Sequence, residues 1–206
     1  MYVIGLCGGS GSGKGTVSDI FSEHGYPAID TDAVYRYLTS TDTECQRALR
    51  REFGDGIIAA DGTLDRAALS AIVFGSEEAD KKRRTLNTIS HKFVLDETDR
   101  ILDNYNRDGI RLALVDAPLL FESGYNEKCD IVLAVIADSD LRIKRICQRD
   151  GITIERAELR IASQITNDEL VKKSDYVIEN NGSYEELRAA VCGTIQKIRN
   201  ERGFDI

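Results

Sequence analysis

Five glycines fall within eight residues, Gly8, Gly9, Gly11, Gly13 and Gly15, directly after the apolar run Tyr2-Val3-Ile4-Gly5-Leu6. Lys14 and Thr16 lie among and just beyond them, and Val17, Ile20 and Phe21 follow at helical spacing. Strand, glycine turn and helix in that order leave the intervening chain few shapes. Glycine admits positive φ and close backbone approach. The N–H groups of the turn and the partial positive charge of the helix start then converge on one anion-sized space. Lys14 adds a full charge suited to the outer phosphates of a nucleotide. The segment reads as a phosphate-binding P-loop, with Gly11, Ser12, Gly13, Lys14, Gly15 and Thr16 around the phosphates. The pattern G-x-x-x-x-G-K-[ST] is met by Gly8, Gly13 and Lys14 but missed at Gly15, where a hydroxyl residue should help hold Mg²⁺. The hydroxyl comes one residue later, on Thr16. The bland alternative is a flexible turn, and the flanking strand and helix argue against it.

Along the rest of the chain, short β-branched runs alternate with longer helical stretches, which predicts an α/β fold around a parallel sheet. Strands are expected near residues 2–6, 27–30, 111–115, 130–136 and 175–179. The runs 112–115 and 131–136 are almost wholly apolar, as central parallel strands covered on both faces are. Ser183 and Glu186 form a capping-box pattern, after which Leu187, Val191, Ile195 and Ile198 mark one face of a final helix. The 206 residues suit a single domain, 1–206. It carries a substrate-side insertion at about 54–106, including a long helix from about Ser76 to Asn106. A second helical, arginine-rich insertion at about 140–172 is expected to act as a lid.

Composition limits the partners. A net charge of −8 argues against general nucleic-acid or anionic-membrane binding. No window approaches the roughly 18 apolar residues of a membrane span, and the first residues lack a basic stretch leading into a long apolar run, so no leader is expected. Five cysteines, an odd number without C-x-x-C spacing, read as reduced thiols of a cytosolic protein, and Cys7 as a small buried hydrophobe. With two histidines, His24 and His91, a zinc site is not expected. The basic run Lys81-Lys82-Arg83-Arg84 reads as a solvated helix face. Nothing in the sequence speaks to oligomeric state.

Three constellations accompany the glycine turn. Asp30 and Asp32 lie at the end of the second strand, at the carboxyl edge where open parallel sheets bind ligands. One residue apart in extended chain, they point to opposite sides. One suits a metal or the Lys14 region, and the other suits a general base. Equally, either can cap a helix. Arg36, one helical turn after Asp32, can pair with it. Asp116 closes the apolar strand 111–115 in the manner of a Walker B carboxylate that holds Mg²⁺. Arg145 and Arg149 share a helix face and can neutralise a transferring phosphoryl group; the alternative is a salt-bridged surface helix with Asp138, Asp140 and Asp150.

The whole set strongly resembles the dephospho-CoA kinase family, nearly end to end. The resemblance is carried by residues 5–14, by Ile29-Asp30-Thr31-Asp32 with Arg36, and by Phe53-Gly54, Asp61-Gly62-Thr63-Leu64-Asp65-Arg66 and Val73-Phe74. It continues through His91, Asp116-Ala117-Pro118-Leu119-Leu120-Phe121-Glu122, Arg145, Arg149-Asp150-Gly151, Gln164 and residues 175–182. It implies a P-loop kinase fold with strand order 2-3-1-4-5, and ATP-dependent phosphorylation of the ribose 3′-hydroxyl of dephospho-CoA. It implies ATP and Mg²⁺, with Asp32 as base, Lys14 and the loop on ATP, and Arg145 and Arg149 on its phosphates. Arg36, Arg66 and His91 would serve the CoA side, and Thr16, Asp30 and Asp116 the metal. Three departures stand out. Gly15 replaces the family's Ser or Thr, although adenylate kinases also carry Lys-Gly-Thr. Lys92 stands where Pro is usual, and Arg142 where Gln is common, a change that suits an exposed helix. The rival readings are a nucleoside monophosphate kinase, which needs no base for a hydroxyl, and a non-catalytic ATP-binding module, which needs no base at all.

Overall fold

The computed structural model describes residues 1–40, 42–74 and 78–203. Its five strands are β1 (Tyr2–Cys7), β2 (Ala28–Asp30), β3 (Leu112–Asp116), β4 (Ile131–Ile136) and β5 (Tyr176–Glu179). They form one parallel sheet in the order β2-β3-β1-β4-β5, as the resemblance implies. Helices fill the intervals: α1 (Lys14–Glu23), α2 (Thr31–Leu38), α3 (Glu44–Phe53), α4 (Arg66–Phe74), α5 (Ala79–Arg107), α6 (Ser139–Asp150), α7 (Ile154–Ala162), α8 (Asn167–Lys173) and α9 (Tyr184–Arg202). The expected helix start at Ser76 lies outside the described residues; α5 is described from Ala79.

The chain forms two compact units, one of residues 1–29 together with the chain from Tyr105 onward, the other of Asp30–Asn104. In the first, β1 lies between β3 and β4, and all three strands are buried along nearly their whole length. Ile4, Leu6, Leu114, Ile131 and Leu133 are completely buried. Val17, Ile20 and Phe21 of α1 and Leu187, Val191, Ile195 and Ile198 of α9 join the same core. The capping box read from Ser183 and Glu186 is present at the start of α9. Two carboxylates close strand ends: the Val3 N–H donates to Asp130 (2.8 Å) and the Val132 N–H to Asp175 (2.7 Å). These bonds satisfy backbone donors that would otherwise be orphaned beside the core.

Parallel register then decides where chemistry can happen. Leu6 aligns with Asp116 on β3, and Cys7 with Ala134 on β4. The carboxyl ends of β1 and β3 therefore share one edge, and the glycine turn begins there. The second unit has its own core of Cys45, Leu49, Ile57, Leu64, Leu69 and Val73, against which Leu86, Ile89 and Phe93 of α5 pack. In the basic run, Lys81, Arg83 and Arg84 are exposed and Arg83 pairs with Asp80.

Candidate active site

The glycine turn leads from β1 into α1, whose first residue is Lys14. Gly13 caps that helix in the left-handed region (φ 99°), and a Cβ there would land on the Asn180 amide nitrogen. Glycine is thus required twice over at Gly13, by conformation and by space. Gly15 lies inside α1 without a positive φ, and no atom comes within 4 Å of the place a Cβ would take. Nothing in the fold demands glycine there. Ser12 is buried, and its hydroxyl has no hydrogen-bond partner among the described residues.

Lys14 Nζ lies 3.4 Å from Asp116 Oδ1, with both side chains largely shielded from solvent. The charge expected on the loop and the carboxylate expected at the end of β3 are therefore adjacent. Thr16, in the first turn of α1, is half-buried. Cys7, next to the loop, is a buried thiol held up at about 11 by desolvation, an inert filler rather than a nucleophile. All five cysteines are free.

Both expected arginines touch the loop. Arg145 reaches the loop, donating from Nη1 to the Gly11 carbonyl (3.1 Å) and from Nη2 to Asn180 Oδ1 (3.4 Å). Arg149 donates to Ser10 Oγ (3.3 Å) and is held by both carboxylate oxygens of Asp150, 2.7 and 2.9 Å away. Arg149, with Arg160 beside it, keeps the Asp150 carboxyl well below the usual carboxylate range. Arg142 departs from expectation. Instead of lying on an exposed face it is 3% exposed, turned into the loop. Its position on α6, three residues before Arg145, puts it on the same inward face.

The remaining predicted residues belong to the second unit. Asp30 caps α2: its Oδ1 accepts the N–H groups of Asp32 (2.8 Å) and Ala33 (3.1 Å), and its Oδ2 accepts Arg36 Nη2 (3.2 Å). Arg36 thus pairs with Asp30, not with Asp32 as its spacing suggested. Helical side chains lean toward the N-terminus, so a guanidinium one turn in reaches back to the capping carboxylate. Both Asp30 oxygens are thus engaged, one in the cap and one with Arg36. Asp32, in the first turn of α2, is exposed, and its carboxylate makes no hydrogen bond or ion pair with the described residues. Arg66 is exposed at the start of α4, and His91 is half-buried on α5. Tyr35, on α2, has its hydroxyl pushed above the ordinary tyrosine value by burial, with the Arg66 charge pulling the other way. Asn180 and Gln164 escaped notice as loop contacts; they lie 168 and 154 residues from the loop residues they bond, and no local pattern marks such a pairing.

The donor set fits Mg²⁺. One strand-end carboxylate and one hydroxyl beside a phosphate loop are the usual protein share of a magnesium shell completed by phosphates and water. Among the described residues no group of three or more His, Cys, Asp or Glu is placed to hold a metal by itself. No helix of the described residues is long and apolar enough to cross a membrane.

Known proteins bear on this arrangement. The family model for dephospho-CoA kinase matches residues 2–186. The dephospho-CoA kinase of Corynebacterium glutamicum is 38% identical over 198 residues, covering 96% of this chain and 98% of that protein. The dephospho-CoA kinase of Geobacillus kaustophilus is 40% identical over 194 residues, covering 94% and 95%. Among solved structures, the dephospho-CoA kinase from Campylobacter jejuni superposes with a TM-score of 0.71 at 26% identity, covering 97% of this chain and 98% of that one. A shikimate kinase from Acinetobacter baumannii shares the fold at 20% identity, with a TM-score of 0.55 over 98% and 94% of the two chains. The chain belongs to the dephospho-CoA kinase family.

Proposed function

We propose that this protein transfers the γ-phosphoryl group of ATP to the ribose 3′-hydroxyl of dephospho-CoA, giving coenzyme A and ADP in the cytoplasm. The observation that carries the reading is the glycine turn at the end of the central strand, with Lys14 and Asp116 3.4 Å apart beside it, in a chain matched by the kinase family over nearly its whole length. The loop amides and Lys14 hold the β- and γ-phosphates. Arg145 and Arg149 neutralise charge on the transferring group, which is where electrostatic stabilisation matters most. Asp32 takes the proton of the acceptor hydroxyl as its oxygen bonds to the γ-phosphorus and the bond to the β-phosphate oxygen breaks. Arg36, Arg66 and His91 serve the CoA side. Asp116 and Thr16 are the residues to hold Mg²⁺, which when bound neutralises phosphate charge; Asp30 is set aside as a ligand because its oxygens already cap α2 and pair with Arg36.

Lys14-Gly15-Thr16 favours one second reading, a nucleoside monophosphate kinase. The two separate in one assay: ADP release from ATP and Mg²⁺ with dephospho-CoA, AMP or CMP as acceptor. Release with dephospho-CoA alone is expected. Release with a nucleoside monophosphate and none with dephospho-CoA would replace the first reading by the second.

A further inference from the structure

Arg142 is buried, and no carboxylate among the described residues pairs with it. Burial pushes its guanidinium down from the ordinary arginine value. A cation taken out of water without a counter-charge is costly unless its donors are satisfied. Here two of its donors go to neutral acceptors, and those acceptors lead to the glycine turn. Arg142 Nε donates to the Ser10 carbonyl (2.9 Å) and Nη2 to Gln164 Oε1 (2.8 Å). The same Gln164 oxygen accepts the Ser10 N–H (3.0 Å). Ser10 is therefore held at both of its backbone groups by one side-chain pair. The next two carbonyls are held too, Gly11 by Arg145 (3.1 Å) and Ser12 by Asn180 Nδ2 (2.7 Å).

Peptide geometry turns these contacts into a statement about the anion. In a trans peptide the N–H points opposite to its own C=O. Drawing the Ser10 carbonyl to Arg142 sends the Gly11 N–H the other way, and drawing the Ser12 carbonyl to Asn180 does the same for Gly13. The Ser10 N–H is spent on Gln164 and the Ser12 N–H on the Gly9 carbonyl (3.1 Å). The direction of the remaining donors is thus set from outside the loop. Gly9 makes room for the clasp, since a Cβ there would land on the Arg142 guanidinium.

We propose that Arg142, acting with Gln164, is a positioning residue for ATP. It fixes the Ser10 peptide so that the Gly11 N–H faces the phosphates, and it places a buried positive charge behind the loop without touching the nucleotide. The inference rests on the ATP reading of the loop but not on the identity of the acceptor. Calorimetric binding of ATP to the full chain, with initial rates in both substrates, tests it in Arg142→Met, Arg142→Lys and Gln164→Ala. Arg142→Met is expected to weaken ATP binding about tenfold or more, the scale of a lost charge-assisted hydrogen bond. KM for ATP should rise with it while KM for dephospho-CoA stays put, and Arg142→Lys should recover part of the loss. Arg142→Met combined with Gln164→Ala should be no worse than the poorer single variant, because both act through Ser10. ATP affinity within about twofold of wild type in folded Arg142→Met, or KM values for both substrates rising together, would overturn the proposal. If Arg142→Met does not fold, unchanged ATP affinity in both Gln164→Ala and Arg142→Lys overturns it instead. A wild-type protein that binds ATP yet releases no ADP with dephospho-CoA would sink the acceptor reading alone.

Discussion

Asp30 and Asp32 are two positions apart and have opposite surroundings. The carboxylate of Asp30 is consumed by two backbone N–H groups and Arg36, while that of Asp32 is exposed and unengaged. Of the two, Asp32 is the one that suits the base role proposed above. Asp32→Asn is expected to lower kcat by about 10²–10⁴, the span of general-base catalysis, with ATP affinity retained; an unchanged kcat would remove Asp32 from the role. Gly15 poses the reverse question, a missing group rather than a free one. The space around it is open and its backbone ordinary for a helix. Gly15→Ser should therefore fold, gain about 0.5 kcal/mol from better helix propensity, and raise the melting temperature slightly. Its activity should survive, read in a Mg²⁺ titration; a dead but folded variant would show that the turn needs glycine there for a reason the packing does not contain.

At the scale of elements, α2 and α9 are started by their caps. Asp30→Ser keeps an N-cap oxygen but removes the carboxylate, so stability should fall by less than about 1 kcal/mol in chemical denaturation. If the Mg²⁺ dependence of ATP binding is also unchanged, Asp30 is a cap and Asp116 carries the metal. A large loss of Mg²⁺ dependence would return Asp30 to the metal site. On α9, Ser183→Ala breaks the capping box and should cost about 1 kcal/mol, seen as a lower denaturation midpoint without a change in slope. The apolar face that Ser183 introduces packs on the sheet, so the helix should weaken rather than vanish.

At the scale of the molecule, burial reaches three thiols in both units. Desolvation pushes Cys7 and Cys45 up to about 11 and Cys129 to about 12. In the unfolded chain a thiol titrates at about 8.5. Between these values the folded state holds protons that the unfolded state has lost, so the thiols' contribution to stability is full below about pH 8.5 and is lost as pH rises toward their folded values. Equilibrium denaturation from pH 7.5 to 10.5 should show that fall, and Cys7→Ala should flatten part of it. The strands, their alternation with helices, the glycine turn and the capping box of α9 were legible in the sequence because each is written in neighbouring residues. Arg142 and the partner of Arg36 were misread, because one depends on which face of α6 is covered and the other on a cap that had first to form. The chain by itself determined an α/β sheet with a phosphate loop at its edge, since apolar runs and glycine spacing are local properties. Only the tertiary structure decided how that loop is oriented. Its carbonyls are held by side chains 132 to 168 residues away, brought there by parallel strand register, which no local pattern encodes.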